Sequence, residues 1–83
     1  MEIREVFAAN LRHWRRAVGL SQEELAHRAE LDRTYISALE RCKYAATIDV
    51  ADRLARELGI QADELLKRPS ARPRRKESDG KAA

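Results

Sequence analysis

Two helix-start signals follow one another closely in the first half of this chain. Ser21 and Glu24 have the spacing of a capping box, and Leu20 and Leu25 stand at the positions of a hydrophobic staple around it. Asp32 is a second N-cap candidate, and it leaves room for only about two turns of helix after the first signal. This spacing predicts two short helices joined by a tight turn.

Apolar residues at helical spacing predict three more helices around this pair, which makes the fold class all-α with five helices. Gly19 and Gly59 are the expected C-terminal caps of the first and fourth helices, and Thr47 is the expected N-cap of the fourth. The predicted helices are residues 3–18, 22–29, a third from about residue 33, 48–58 and 62–67. The expected apolar stripes are Ile3, Val6, Phe7, Leu11, Trp14 and Val18 in the first helix, and Ile48, Ala51, Leu54, Ala55 and Leu58 in the fourth.

Composition agrees with one small helical domain. Apolar residues make up 43% of the chain, and it contains three Gly and two Pro, a balance that favours helices over strands. No stretch approaches the roughly 20 apolar residues that cross a bilayer, so we expect a soluble, cytoplasmic protein with no membrane partner. Cys42 is the one cysteine, and with two scattered histidines it offers no metal-ligand spacing, so no metal or cofactor is expected.

The net charge of +3 is unevenly distributed. Residues 1–66 carry 10 Lys or Arg against 12 Asp or Glu, a net −2, whereas residues 67–83 carry 7 against 2, a net +5. The overall basicity therefore says little about nucleic-acid binding by the helical part, and the placement of single charges must be considered. The basic end has no apolar residue larger than alanine, so residues 68–83 are predicted to be a flexible basic tail.

Two short helices joined by a tight turn fit the DNA major groove when the second begins with exposed polar and cationic residues. Many small helical bundles have the same dimensions without binding DNA. The run LSQEELA at residues 20–26 and the run YISALER at 35–41 closely resemble the Cro/repressor (Xre-type) helix-turn-helix family. The resemblance covers about residues 5–66. The run LDRTYIS at 31–37 looks especially like the controller proteins of restriction–modification systems.

This resemblance implies a compact, lambda-repressor-like DNA-binding domain over residues 1–67, with the helix-turn-helix at about 21–43. Base edges would be contacted by Arg33, Thr34, Ser37 and Ala38. Phosphate-contacting or positioning roles fall to Gln22, Tyr35, Arg41 and Lys43. Arginine is suited to a bidentate contact with guanine, and Arg33 stands at a helix N-terminus, where the dipole disfavours a cation unless a ligand requires it. Arg15 and Glu40 match a structural salt bridge of the family, whereas Arg12 is predicted to be solvated.

Two departures from the family pattern stand out. The family usually has glycine or asparagine where this chain has Cys42, so the resemblance does not predict the C-cap geometry of the third helix. The loop that follows is polar and often bears arginine in controller proteins, but here it is Tyr44, Ala45 and Ala46. The resemblance therefore does not carry over an operator sequence.

Three function classes follow from these observations. The first is a transcriptional regulator that binds an inverted-repeat operator in double-stranded DNA as a homodimer, with Ile60, Leu65 and Leu66 as expected interface residues. The second keeps the scaffold but binds another protein, as an antiactivator or antitoxin, and the alanine-rich loop agrees with it. The third is an enzyme, which the lack of a nucleophile–base pair or a phosphate-binding glycine loop argues against.

Overall fold

The computed structural model describes residues 2–68, as four α-helices followed by one short 3₁₀ helix. The elements are α1 at Ile3–Ala17, α2 at Gln22–Ala29, α3 at Arg33–Glu40, α4 at Ile48–Leu58 and the 3₁₀ helix at Ala62–Leu66. The predicted all-α class is confirmed, and the fifth predicted helix is a 3₁₀ helix because it is only five residues long and closes with an i→i+3 bond, Glu64 N to Gln61 O at 3.0 Å. Apart from Arg68, the predicted tail lies outside the described residues.

The start of α2 is stabilised by the predicted capping box. The Glu24 amide donates to the Ser21 hydroxyl oxygen at 3.0 Å, and the Ser21 amide donates to the Glu24 carboxylate at 2.8 Å. The hydrogen bond from the Ser21 amide lowers the pKa of Glu24, and the hydrogen bond with the Ser21 hydroxyl adds a smaller effect in the same direction. The cap is therefore formed by the ionised carboxylate. Thr47 caps α4 as predicted, but Asp32 occupies the N-cap of α3 without a side-chain hydrogen bond to its amides.

All four α-helices end with the same left-handed turn. The residue that ends the turn has a positive φ of 78° at Gly19, 59° at Glu30, 62° at Cys42 and 74° at Gly59. After α3, the Cys42 amide donates to the Leu39 carbonyl at 3.2 Å and the Lys43 amide donates to the Ala38 carbonyl at 2.8 Å, which is a Schellman motif. Cys42 therefore stands, in the left-handed conformation that glycine and asparagine adopt most readily, at the position where the family pattern has one of those two residues.

We expect Cys42→Gly to raise the free energy of unfolding by about 0.5–1 kcal/mol, because a left-handed backbone costs an L-residue roughly 1–2 kcal/mol and glycine gives part of this back as unfolded-chain entropy. The substitution removes only a weak hydrogen bond, from Cys42 Sγ to the Arg4 carbonyl at 3.8 Å. Urea unfolding followed by circular dichroism measures the change. Cys42→Ala is the control, since it removes the thiol but keeps the strained φ, and equal stability of the two variants would contradict the assignment.

The hydrophobic core joins all five helices. The 3₁₀ helix is attached to α1 by Asn10, whose side-chain amide donates to the carbonyls of Leu65 at 3.0 Å and Lys67 at 2.8 Å. Trp14 packs against the core as predicted, half-buried. The largest fully buried side chains are Val6, Leu11, Leu25, Ile36, Leu39, Leu54 and Leu65.

Three members of the expected apolar stripes lie outside this core. Ile3 and Val18 are about half exposed, and Ile48 is 88% exposed. Each stands at or just beyond an end of its helix, where the helical period continues but no neighbouring helix remains to cover it. No helix within residues 2–68 is both long and apolar enough to cross a membrane, and this part of the chain holds no cluster of metal-ligating side chains.

Candidate nucleic-acid interface

The outer face of α3 is polar and cationic. Ile36 and Leu39 are buried, whereas Arg33 and Thr34 in its first turn are exposed and Ser37 is half-buried. Residues three and four apart are neighbours on a helix surface, so these last three side chains form one contiguous face. The helix presents to solvent a guanidinium and two hydroxyls, groups able to hydrogen-bond the edges of bases.

The N-terminus of α3 has the partial positive charge of the helix dipole, with the exposed Asp32 at its N-cap. Its first turn contains no acidic residue, and the Asp32 side chain does not occupy its amides. Arg33 adds a full positive charge at the end of the helix where the dipole is already positive. This combination is unfavourable for the isolated domain and favourable next to an anion, as a phosphate backbone provides.

The C-terminal end of α3 is held by a buried charge network centred on Glu40. Arg15 contacts the Glu40 carboxylate twice, from Nε at 2.6 Å and from Nη2 at 3.0 Å, and Gln22 donates to the same carboxylate at 3.1 Å. Arg15 also donates to the Leu20 carbonyl at 2.9 Å. Arg15 is 9% exposed and Glu40 is 4% exposed. The hydrogen bonds to Glu40 raise the pKa of Arg15 and outweigh the opposite effect of burial, so the guanidinium remains ionised.

Through this network one carboxylate connects three helices. Arg15 belongs to α1, Gln22 is the first residue of α2 and Glu40 is the last residue of α3. The salt bridge between Arg15 and Glu40 that the family resemblance implies is present, and Gln22 braces α3 as expected. The position of α3 relative to α2 is therefore set by directional bonds as well as by apolar packing.

Two arginines that sequence reasoning did not single out as structural also hold the helix-turn-helix. Arg12, expected to be solvated, donates to the Glu40 carbonyl at 3.0 Å and so caps the end of α3. Arg53 on α4 donates to the Ala29 carbonyl at 3.3 Å, at the turn between α2 and α3. Neither contact has a sequence signal, because each joins residues more than 20 positions apart through a backbone acceptor that every residue carries.

The residues predicted to contact phosphates lie at both ends of the helix-turn-helix. Gln22 is half-buried at the start of α2, and Arg41 and Lys43 are exposed just after α3. The Arg41 Nε donates to the Ser37 carbonyl at 3.4 Å. Tyr35 is half-buried, and its ring lies 6.3 Å from that of Tyr44.

Two predicted site residues are core residues instead. Ala38 is 4% exposed because its side chain points from α3 into the domain, so its methyl group does not face a DNA groove. Leu65 is fully buried, because the 3₁₀ helix packs it between α1 and α4, so it is not available to anchor a dimer. Of the other two expected interface residues, Ile60 is half-buried against the core and Leu66 is 49% exposed.

Comparison with known proteins places this geometry in a family. A helix-turn-helix family model, HTH_3, matches residues 11–65. A hypothetical transcription factor of Neisseria meningitidis serogroup B is 42% identical over 71 residues, covering 86% of this chain and 67% of the relative. The control protein C.SmaI of Serratia marcescens is 40% identical over 68 residues, covering 82% of this chain and 81% of the relative.

Solved structures agree with these sequence matches. The crystal structure of the Neisseria transcription factor superimposes with a TM-score of 0.82, covering 86% of this chain and 82% of that one. The restriction–modification controller protein C.AhdI from Aeromonas hydrophila has a TM-score of 0.72 at 39% identity, covering 75% of this chain and 94% of that one. The resemblance to controller proteins inferred from residues 31–37 is thereby confirmed.

Proposed function

Because the chain belongs to the helix-turn-helix family HTH_3, we propose that it is a transcriptional regulator that binds an inverted-repeat DNA operator, sequence-specifically and as a homodimer. The observation that carries this proposal is the exposed first turn of α3, with Arg33 and Thr34 on a helix whose far end is held by the buried Glu40 network. A rigid helix with a free polar face is what reading bases in a groove requires.

In this proposal α3 lies in the major groove with its first turn toward the bases. Arg33 makes a bidentate contact with guanine O6 and N7, the Thr34 methyl packs against a thymine methyl, and Ser37 lies next to them on the same face. Contacts to the phosphates by Gln22, Tyr35, Arg41 and Lys43 set the position of the helix without reading sequence. Ala38 contributes to specificity only through packing, since it is buried.

A homodimer follows from the size of the reading surface. One α3 offers three side chains to the bases, which is too few for a unique site in a genome. Two copies related by a two-fold axis read two half-sites about one helical turn apart, so the operator is an inverted repeat. The relatives named as control proteins and transcription factors support a regulatory role of this kind.

Selection from a library of random DNA duplexes at near-physiological salt tests the proposal. The 83-residue chain and a variant ending at Lys67 are compared, with circular dichroism to confirm that both are folded. We expect both to enrich the same inverted repeat. Enrichment of no sequence, with DNA retention that disappears on truncation, would contradict the proposal and would favour the alternative in which the scaffold binds a protein partner. Pull-down experiments would then be the next step.

A further inference from the structure

A shallow groove on the exposed side of α1 carries a concentration of positive charge. Residues 1–66 have a net charge of −2, yet three of their ten lysines and arginines stand within positions 12–16. The groove has a volume of about 430 Å³, and small alanine side chains leave it open between longer basic ones. Its lining residues are Ala9, Arg12, His13, Arg16 and Ala17.

The positive charge of this groove is not neutralised on its own helix. On α1 and its N-cap, acidic residues occur only at Glu2 and Glu5, where the helix starts. Within residues 2–68 the Arg16 guanidinium makes no hydrogen bond or ion pair. The helix dipole favours a cation in the last turn, where Arg16 stands, but it does not account for Arg12 one turn earlier. The groove therefore has charge available for an anionic partner.

Two of the three basic side chains are held in place by the domain. The Arg12 guanidinium donates to the Glu40 carbonyl at 3.0 Å, which uses one of its five N–H donors. The His13 ring meets the edge of the Trp14 ring, with 5.2 Å between the centroids and 78° between the planes. Because these side chains are already ordered, an anion that enters the groove pays little conformational entropy to fix them.

The groove lies beside the helix-turn-helix. At 3.6 residues per turn, Arg12 and Arg16 stand about 60° and 100° around α1 from Arg15, both on the same side of it. Arg15 points at the Glu40 carboxylate, which also accepts from Gln22 at the start of α2. Since Gln22 is one of the residues expected to contact a phosphate, the groove extends that row of contacts from α2 onto α1.

We propose that this groove binds a phosphate of the DNA backbone that flanks the bases read by α3. The inference rests on the proposed function, which supplies the DNA, and it adds α1 to the surface that contacts the duplex. Arg16 donates to the phosphate oxygens, with the charge of Arg12 next to it, and the alanine floor lets the backbone approach closely. Such a contact positions the domain and strengthens binding without reading sequence, because phosphates are alike at every base pair.

Arg16→Gln in the 83-residue chain tests this contact through the salt dependence of DNA binding. Each phosphate neutralised by a cation contributes about 0.9 to the slope of log K against log salt concentration, so a homodimer that loses two contacts should have a slope smaller by about 1.8. Affinity for the selected duplex and for a scrambled duplex should fall by the same factor, about 1.4- to 5-fold for each copy, as for an exposed ion pair. A slope equal to that of wild type overturns the inference.

Two control variants separate the contact from the loss of charge in general. Arg16→Lys keeps the cation in the groove and should keep the wild-type slope. Arg56→Gln removes an exposed arginine of α4 that pairs only with Asp52, and it should also keep the wild-type slope. Circular dichroism confirms that all three variants are folded. An equally reduced slope in either control would contradict the assignment of the lost contact to the charge of Arg16.

Duplexes with one phosphate at a time replaced by an uncharged methylphosphonate locate the contact. Wild type should lose affinity at every phosphate that it contacts. At one phosphate of each half-site, outside the bases read by α3, this loss should be smaller or absent for Arg16→Gln, because the same pair is then removed twice. Equal losses for wild type and Arg16→Gln at all positions would show that Arg16 meets no phosphate.

The salt slopes and the DNA selection together separate this inference from the proposed function. If wild type selects an inverted repeat and Arg16→Gln keeps the wild-type slope, the groove assignment fails and the proposed function stands. If wild type selects no sequence and Arg16→Gln lowers the slope on a duplex of arbitrary sequence, the groove stands as a phosphate site and the proposed function fails.

Discussion

Replacing Arg33 with alanine should strongly reduce the sequence preference of the protein, most of all at the guanine that Arg33 is proposed to contact, and should leave its fold intact. One bidentate arginine–guanine contact discriminates by roughly 1–3 kcal/mol, so we expect the affinity for the selected operator to fall about 5- to 150-fold for each half-site. The fold is retained because Arg33 is exposed and its charge opposes the dipole of α3, while alanine is a better helix former. Binding titrations with the selected duplex and with a scrambled duplex measure both affinity and preference.

Arg56→Ala is the matched control for this experiment. Arg56 is also an exposed arginine, but it lies on α4 and pairs only with Asp52 on the same helix. It carries the same charge as Arg33 without a place on the reading face, so its removal should change binding to the two duplexes equally. If Arg33→Ala keeps the wild-type preference for the selected duplex, then α3 does not read bases through its first turn.

Glu40→Ala should destabilise the domain by about 3–5 kcal/mol, because it leaves the Arg15 guanidinium buried without its counter-ion. Small domains have only about 5–15 kcal/mol of total stability, so this variant should lose a large part of it. It also removes the acceptor of the Gln22 amide, and with it the bond that fixes α2 to the end of α3. Urea unfolding measures the decrease in stability. DNA binding below the unfolding temperature measures how much affinity is lost when α3 is no longer held by this network.

The double variant Arg15→Met with Glu40→Leu separates the cost of an unpaired charge from the value of the pair. Apolar side chains of similar size fill the same space without a buried charge, so we expect it to be more stable than Glu40→Ala. If alignment of α3 by directional bonds matters for reading DNA, this variant should bind the operator more weakly than wild type at equal stability. Equal binding would show that packing alone positions the helix.

The features that could be predicted from the sequence are those with a local cause. Ser21 with Glu24, and Thr47 alone, cap their helices through bonds three residues away, so their spacing is visible in the sequence. The Arg15–Glu40 bridge joins residues 25 positions apart and was expected only from the resemblance to a known family. Asp32 has the right identity and position for a cap, yet its side chain does not bond to the helix.

The predictions that failed depended on which neighbours happen to cover a side chain. Ala38 and Leu65 are buried and Ile48 is exposed because of how α3, α4 and the 3₁₀ helix pack, and an apolar period does not distinguish the covered part of a stripe from its free end. Arg12 shows the same limit for polar residues, since its partner is a backbone carbonyl of α3. A surface made of residues from distant segments of the chain has no counterpart in a linear pattern.

The left-handed residues at the ends of α2 and α3 have a consequence for how this domain can change. Glu30 lies before α3 and Cys42 lies after it, and both have a backbone conformation that glycine would adopt without strain. Glycine at either of these positions, which border α3 on its two sides, is therefore expected to raise the free energy of unfolding. Substitutions in the first turn of α3 that alter DNA preference at the expense of folding can be compensated there, without any change to the face of α3 that is proposed to contact the bases.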